Sequence, residues 1–165
     1  MSIREILFRG KQTDYKNWIE GSLVYINNGD DVICQIADSL LSKDKDGSVL
    51  VIAHAVDPET ICQFTGFIDL YGNKVFEGDI IQYHFDDSII GIVRYGEYQN
   101  TFCDDEHAAH VGFYVEWQER KDRLRKDLGY WLKQSKVSGN IFDDTELMDK
   151  TSEYSKKKGE QLWHK

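Results

Sequence analysis

The chain has 165 residues, 41% hydrophobic and 13% aromatic, too rich in core-forming side chains for a disordered polymer and long enough for a sizeable core. A formal net charge of −9 disfavours non-specific binding to a phosphate backbone and leaves that role to a local basic patch at most. No run approaches the roughly 18 apolar residues of a membrane-spanning helix, charges interrupt the N-terminal residues, and the three cysteines form no CxxC pair; the expectation is a soluble, cytoplasmic protein with buried, reduced thiols.

In chain order, residues 3–8 alternate as a half-buried strand does, and a polar loop at 11–17 follows. Residues 18–26 suit one or two strands with Gly21 at a bend or bulge. A turn at 27–31, a short strand at 32–37, a polar loop at 43–47 and a β-branched-rich strand at 48–56 come next. Asp57-Pro58 fits an N-cap and first helical residue, with a single helical turn after it. Residues 61–64 then feed a central segment, 63–82, whose apolar runs flank Tyr71-Gly72-Asn73-Lys74 and Glu77-Gly78-Asp79. Gly and Asn accept the positive φ of tight turns, so both places are predicted turns.

Strands are predicted at 80–85 and 89–95, joined at 86–88, in an arrangement that recurs in small SH3-like barrels, where Gly91 would let the strand bend. Gly66, Gly72, Asn73, Gly78, Asp79 and Gly91 are the positions expected to set turns and bends. The acidic stretch 97–110 reads as a projecting loop and 111–117 as a strand. Trp117, Leu124, Leu128 and Trp131 fall on one stripe of a 3.6-residue period, which predicts a helix over 118–131 with Gly129 near its stop. A last strand is predicted at 137–142, and residues 149–165 read as a peripheral tail. The sum is a mainly β fold (β or α+β): a small SH3-like, partly open barrel of antiparallel strands, a further N-terminal β subdomain and one short amphipathic helix near 118–131. It is laid out as one domain over 1–148, or as two β subdomains over 1–60 and 61–148.

Several places hold residue types that carry chemistry. Cys103, His107 and His110, with three carboxylates between the first two, offer the donor types of a transition-metal site. Their spacing is not that of a zinc finger, and a solvated acidic loop is the favoured reading. Glu77 and Asp79 resemble a carboxylate pair, but an Asp after a turn glycine more commonly accepts backbone N–H bonds and fixes the turn. His54 and His84 sit in strand-like runs and read as half-buried strand residues. The segment 118–136 carries Arg120, Lys121, Arg123, Arg125, Lys126, Lys133 and Lys136 among Trp117, Tyr130 and Trp131, a mixture able to meet nucleic acid. The favoured reading there is a solvated helix face whose tryptophans belong to the core.

Several blocks taken in order then carry a resemblance. They are residues 4–10, 18–23, 56–60, 63–66, 72–81 (Gly-Asn-Lys-Val-Phe-Glu-Gly-Asp-Ile-Ile), 112–117 (Gly-Phe-Tyr-Val-Glu-Trp), 124–129 and 139–144. Together they resemble the YopX-like proteins, an uncharacterised family encoded mostly by bacteriophages and prophages. The likeness runs to about residue 148. It implies a mostly-β, barrel-containing fold and a phage or prophage origin, and brings no catalytic or ligand-binding residues with it. The functional expectation is a non-catalytic binding or accessory module that contacts a host or phage protein, or a second copy of itself, with no cofactor and no membrane. The alternatives are nucleic-acid binding through 120–136 and a metal-dependent enzyme at Cys103, His107 and His110.

Overall fold

The computed structural model describes residues 5–28, 31–99, 109–117, 125–144 and 146. They form mostly antiparallel β structure in two sheets, with one short helix and no closed barrel. The chain divides into two compact units, one up to Gly66 and the other from Phe67 on.

The first unit holds β1 (Phe8–Lys11), β2 (Trp18–Asn28), β3 (Asp31–Lys43), β4 (Val49–Ala55) and the start of β5 (Cys62–Ile68), in the spatial order β4-β3-β2-β1-β5. Its core is small: Cys34, Ile36 and Val56 are buried, with Phe8, Ile19, Leu23 and Ile61 packed against them. A 3-10 turn at Pro58–Thr60 begins where the Asp57 carboxylate accepts the Glu59 N–H (3.1 Å). Thr60 fastens this turn to β1, because its hydroxyl accepts the Lys11 N–H (2.9 Å) and donates to the Asp57 carbonyl (2.8 Å). Two expectations need correction. The first strand lies at Phe8–Lys11, later than 3–8, because its ladder with β2 runs from Phe8↔Gly21 to Lys11↔Trp18. The short strand expected at 32–37 extends to Lys43, because β4 pairs along its whole length with irregularities after Ala37 and Leu40. Those irregularities break the two-residue alternation by which a sequence reveals a strand.

The second unit contains β6 (Lys74–Phe76), β7 (Asp79–Tyr83), β8 (Ile90–Gln99), β9 (Ala109–Trp117), the helix α1 (Leu128–Trp131) and β10 (Ser135–Asn140). Its sheet runs β10-β7-β8-β9. The sheet stays open, with β10 and β9 at its two edges, within the mainly β class expected. The core is larger here: Val75, Ile81, Val93, Val115, Trp117, Leu128, Trp131 and Leu132 form one buried cluster. Ile80 and Val93 are fully buried. At the turn into β7, Gly78 has φ of 77°, its N–H donates to the Val93 carbonyl (2.9 Å) and its carbonyl accepts the Ile141 N–H (3.0 Å). A side chain there would be strained by the backbone and pressed toward Phe142. Gly66 and Gly72 also have positive φ, 84° and 86°. Gly91 is needed for a different reason: a Cβ would overlap the Val115 side chain and stand 2.8 Å from the Trp117 ring.

Two further expectations fail in this unit. The loop expected over 97–110 is strand at both ends, since β8 continues to Gln99 and β9 starts at Ala109, paired through Gln99↔Ala109; residues 100–108 lie outside the described ones. The helix expected over 118–131 is a single turn, Leu128–Trp131, continued by a 3-10 turn at Leu132–Gln134. Residues 118–124 lie outside the described ones, and Arg125 and Lys126 are not helical. Asp127 instead bridges Tyr114, and the Lys126 carbonyl accepts the Val115 N–H (2.8 Å), so this stretch lies along β9 as an extra strand would.

Candidate functional site

One face of β8–β9 carries Arg94, Tyr98, His110, Tyr114 and Glu116 side by side. A two-residue period places them together, with Arg94 opposite Tyr114 and Tyr98 opposite His110. The Tyr98 ring stacks on His110 (5.3 Å between centroids, 27° between planes) and on Tyr114 (5.2 Å, 25°). Its hydroxyl donates to Asp127 Oδ1 (3.0 Å). Asp127 Oδ2 accepts from Arg125 Nε (3.0 Å), and the Arg125 guanidinium lies 5.1 Å from the Tyr130 ring centre. At the other end Arg94 Nε donates to Glu116 Oε2 (3.1 Å). These ion pairs are partly exposed, so they fix side-chain positions more than they stabilise the fold.

Burial, the hydrogen bond to Asp127 and the negative charge of Asp127 together push the Tyr98 phenol up to about 12, against a smaller opposing effect of Arg125. In alkaline titration followed by tyrosinate absorbance, one late step near that value is expected, and Tyr98→Phe removes it. Asp127→Asn moves it to lower pH while burial still holds it above an ordinary tyrosine; a late step unmoved by either change contradicts the geometry.

Beside this face a shallow cleft of about 100 Å³ is lined by Tyr114, Glu116, Trp117 and Lys126. Small-molecule sites are typically about 300–1,000 Å³, so the cleft suits one inserted side chain better than a substrate. It is held in place from beneath, because the Arg125 carbonyl accepts both the Trp117 Nε1–H (2.9 Å) and the Trp131 Nε1–H (2.7 Å).

The residues singled out in the sequence are distributed as follows. His110 lies in β9 against Tyr98, with its Nε2 buried and without a hydrogen-bond partner among the described residues. Cys103 and His107 lie outside the described residues, and among those described no group of three His, Cys, Asp or Glu could hold a metal ion. Arg120, Lys121 and Arg123 also lie outside, Arg125 is engaged with Asp127 and Tyr130, and Lys133 is exposed on the 3-10 turn. Asp79 is fully buried and its Oδ2 accepts the Phe76 N–H (2.8 Å), closing the turn around Gly78. Asn73 belongs to a turn organised by Asp69, a buried residue that sequence reasoning passed over. His54 Nδ1 is 3.0 Å from Gln12 Nε2, and its Nε2 is 3.5 Å from Asp38. His84 is exposed, with its ring against Phe85. Cys34 and Cys62 are buried and unbridged. The missed signal was the alternation of Arg94, Tyr98, His110 and Tyr114, hidden because the strands were expected to stop short of Tyr98 and His110.

No described helix is long and apolar enough to cross a membrane. A family model described as YopX protein matches residues 7–149. None of the curated proteins matches the chain.

Proposed function

The chain belongs to the YopX protein family, and from that premise we propose that it is a non-catalytic binding module whose contact surface for a protein partner is the aromatic face of β8–β9. The observation that carries the reading is the Tyr98 stack, with His110 and Tyr114 on either side and the phenol tied to Asp127. Tyr and Arg are enriched where binding energy concentrates, since a ring fixed beforehand gives up little conformational freedom on contact. Arg94–Glu116 and Arg125–Asp127 give such a surface a polar rim, and the cleft by Tyr114 and Lys126 gives it a socket. The partner is a host or phage protein, and the setting is the bacterial cytoplasm, where the chain acts as a phage or prophage product on an SH3-like platform.

The test compares the full chain with its Tyr98→Ala and Tyr114→Ala variants as baits in a host lysate. A partner recovered at stoichiometric amounts by the parent and lost by both folded variants is the expected result; recovery of nothing, or of a partner indifferent to both changes, overturns the reading. In parallel, a gel shift that weakens steeply with salt and disappears with Arg125→Glu would transfer the surface to nucleic acid.

A further inference from the structure

Phe85, in the turn between β7 and β8, is 75% exposed. One exposed ring is ordinary on a protein surface, but this one is held in place. It meets Tyr83 (5.5 Å between centroids) and His84 (5.0 Å) edge to face. The turn beneath it is closed by Asp86, whose carbonyl accepts the Ile89 N–H (3.0 Å) and whose Oδ1 accepts the Ser88 N–H (3.0 Å) and hydroxyl (2.6 Å). A ring presented in one position gives up little conformational freedom when something covers it.

Strand register puts this tip and the cleft beside Tyr114 at the same end of the sheet. Gln82 pairs with Ile90 and Gly91 with Trp117, so the end of β7, the start of β8 and the end of β9 lie side by side. The rings of Tyr83, Trp131 and Trp117 run from the tip toward the cleft, 5.6 and 4.7 Å apart. Phe85 is too exposed to fill the cleft of its own chain. A second molecule turned about a two-fold axis at this end offers each tip the other's cleft, and one axis makes both insertions at once.

The charges agree with that pairing. Among the described residues the cleft is flanked by Arg94, Arg125 and Lys126 against Glu116 and Asp127, a sum of one positive charge, and Lys126 is the cation that lines it. The tip carries Asp86 and Asp87. Lys133 stands on the 3-10 turn beside it, where the Gln134 carbonyl accepts the His84 N–H (2.8 Å), and with Lys133 counted the tip sums to one negative charge. We propose that Phe85 enters the cleft of a second copy of the chain, its ring against Tyr114 and Trp117 and its neighbour Asp87 set against Lys126. An enclosed cavity of about 150 Å³ holds benzene, so an open cleft of about 100 Å³ takes the ring part-way. This pairing rests on reading the β8–β9 face as a contact surface, and it names one occupant of the socket there.

Sedimentation of the full chain over a range of concentrations is the test. A dimer is expected, weakened about 30-fold or more by Phe85→Ala, whose circular dichroism stays that of the parent because the ring is outside the core. Asp87→Lys and Lys126→Asp each weaken it by about 3- to 10-fold, and the double exchange recovers most of the loss. A monomeric parent overturns the proposal, as does a dimer indifferent to Phe85→Ala or a double exchange no better than its parts. Assemblies that keep growing with concentration overturn the two-fold arrangement, since open head-to-tail contacts do not close. Phe85 is not among the residues changed in the lysate experiment, so a monomeric parent leaves that reading standing, and a lysate that yields no partner leaves the dimer to be judged by sedimentation alone.

Discussion

Replacing Asp69 by alanine is expected to destabilise the second unit by about 2–3 kcal/mol, since four part-buried N–H groups lose a charged acceptor that water can replace only in part. Asp69 is 5% exposed, and its two oxygens serve four donors. Oδ1 accepts the N–H groups of Tyr71 and Asn73 (both 2.8 Å), and Oδ2 accepts the Val137 N–H (2.9 Å) and the Asn73 side-chain amide (3.0 Å). One carboxylate thus closes the turn after β5 and ties it to β10, 68 positions away in sequence. Asp69→Asn keeps one acceptor oxygen but turns an NH2 group toward the remaining donors, so it falls between the parent and the alanine variant. Chemical unfolding followed by tryptophan fluorescence checks the order; an alanine variant within about 0.5 kcal/mol of the parent, the range of ordinary surface changes, would refute it.

The same carboxylate gives stability a pH dependence. Burial by itself raises the Asp69 pKa, but the bonds from Val137, Asn73 and Tyr71 outweigh it and hold the group below its ordinary value of 3.8. A carboxylate whose folded pKa is depressed contributes stability that is fully present above the unfolded value and lost as pH falls through the folded one. The gap between parent and Asp69→Asn should therefore be widest above about pH 5 and narrow from about pH 4 downward. A gap constant down to acid unfolding would show that Asp69 is not charged in the native state.

The second large effect lies at Trp117. It is 2% exposed, meets Trp131 edge to face at 4.7 Å and shares the Arg125 carbonyl with it. Trp117→Ala removes an entire core ring and is expected to cost about 3–5 kcal/mol. Trp117→Phe retains most of the volume and leaves Arg125 bonded to Trp131, so its cost is nearer 1–1.5 kcal/mol. Trp131→Phe behaves alike for the same reason. The double Trp→Phe change takes both donors from one carbonyl and should cost more than the sum, by about 0.5–1 kcal/mol; strict additivity would argue that the two indoles act separately. Because the carbonyl pins Arg125, the double variant should also loosen the Tyr98–Asp127 bond and lower the late tyrosine titration.

How much of this was legible in the sequence differs from element to element. Gly78 and Asp79 announced their turn because the constraint is local: a positive φ and the bond from the Phe76 N–H to the Asp79 carboxylate lie within four residues. The single turn after Asp57-Pro58 was legible for the same reason. The stripe of Trp117, Leu128 and Trp131 picked out core residues correctly but assigned them to a helix that is one turn long. A 3.6-residue period reports that side chains share a destination, and here a strand, an extended segment and a short helix deliver them to it.

The β-rich class and the turns around Gly72 and Gly78 could be read from residue order alone, since they rest on composition or on contacts within a few residues, and the kinship from matching blocks along the chain. It took the folded chain to show that Asp69 is buried and accepts from four donors, that Tyr98 meets His110, Tyr114 and Asp127, and that β4 stands at the end of its sheet. A hydrogen-bond acceptor, a ring face or a strand edge acquires its role from what register and chain crossing bring beside it. Those partners come from distant parts of the chain, and no local pattern encodes their arrival.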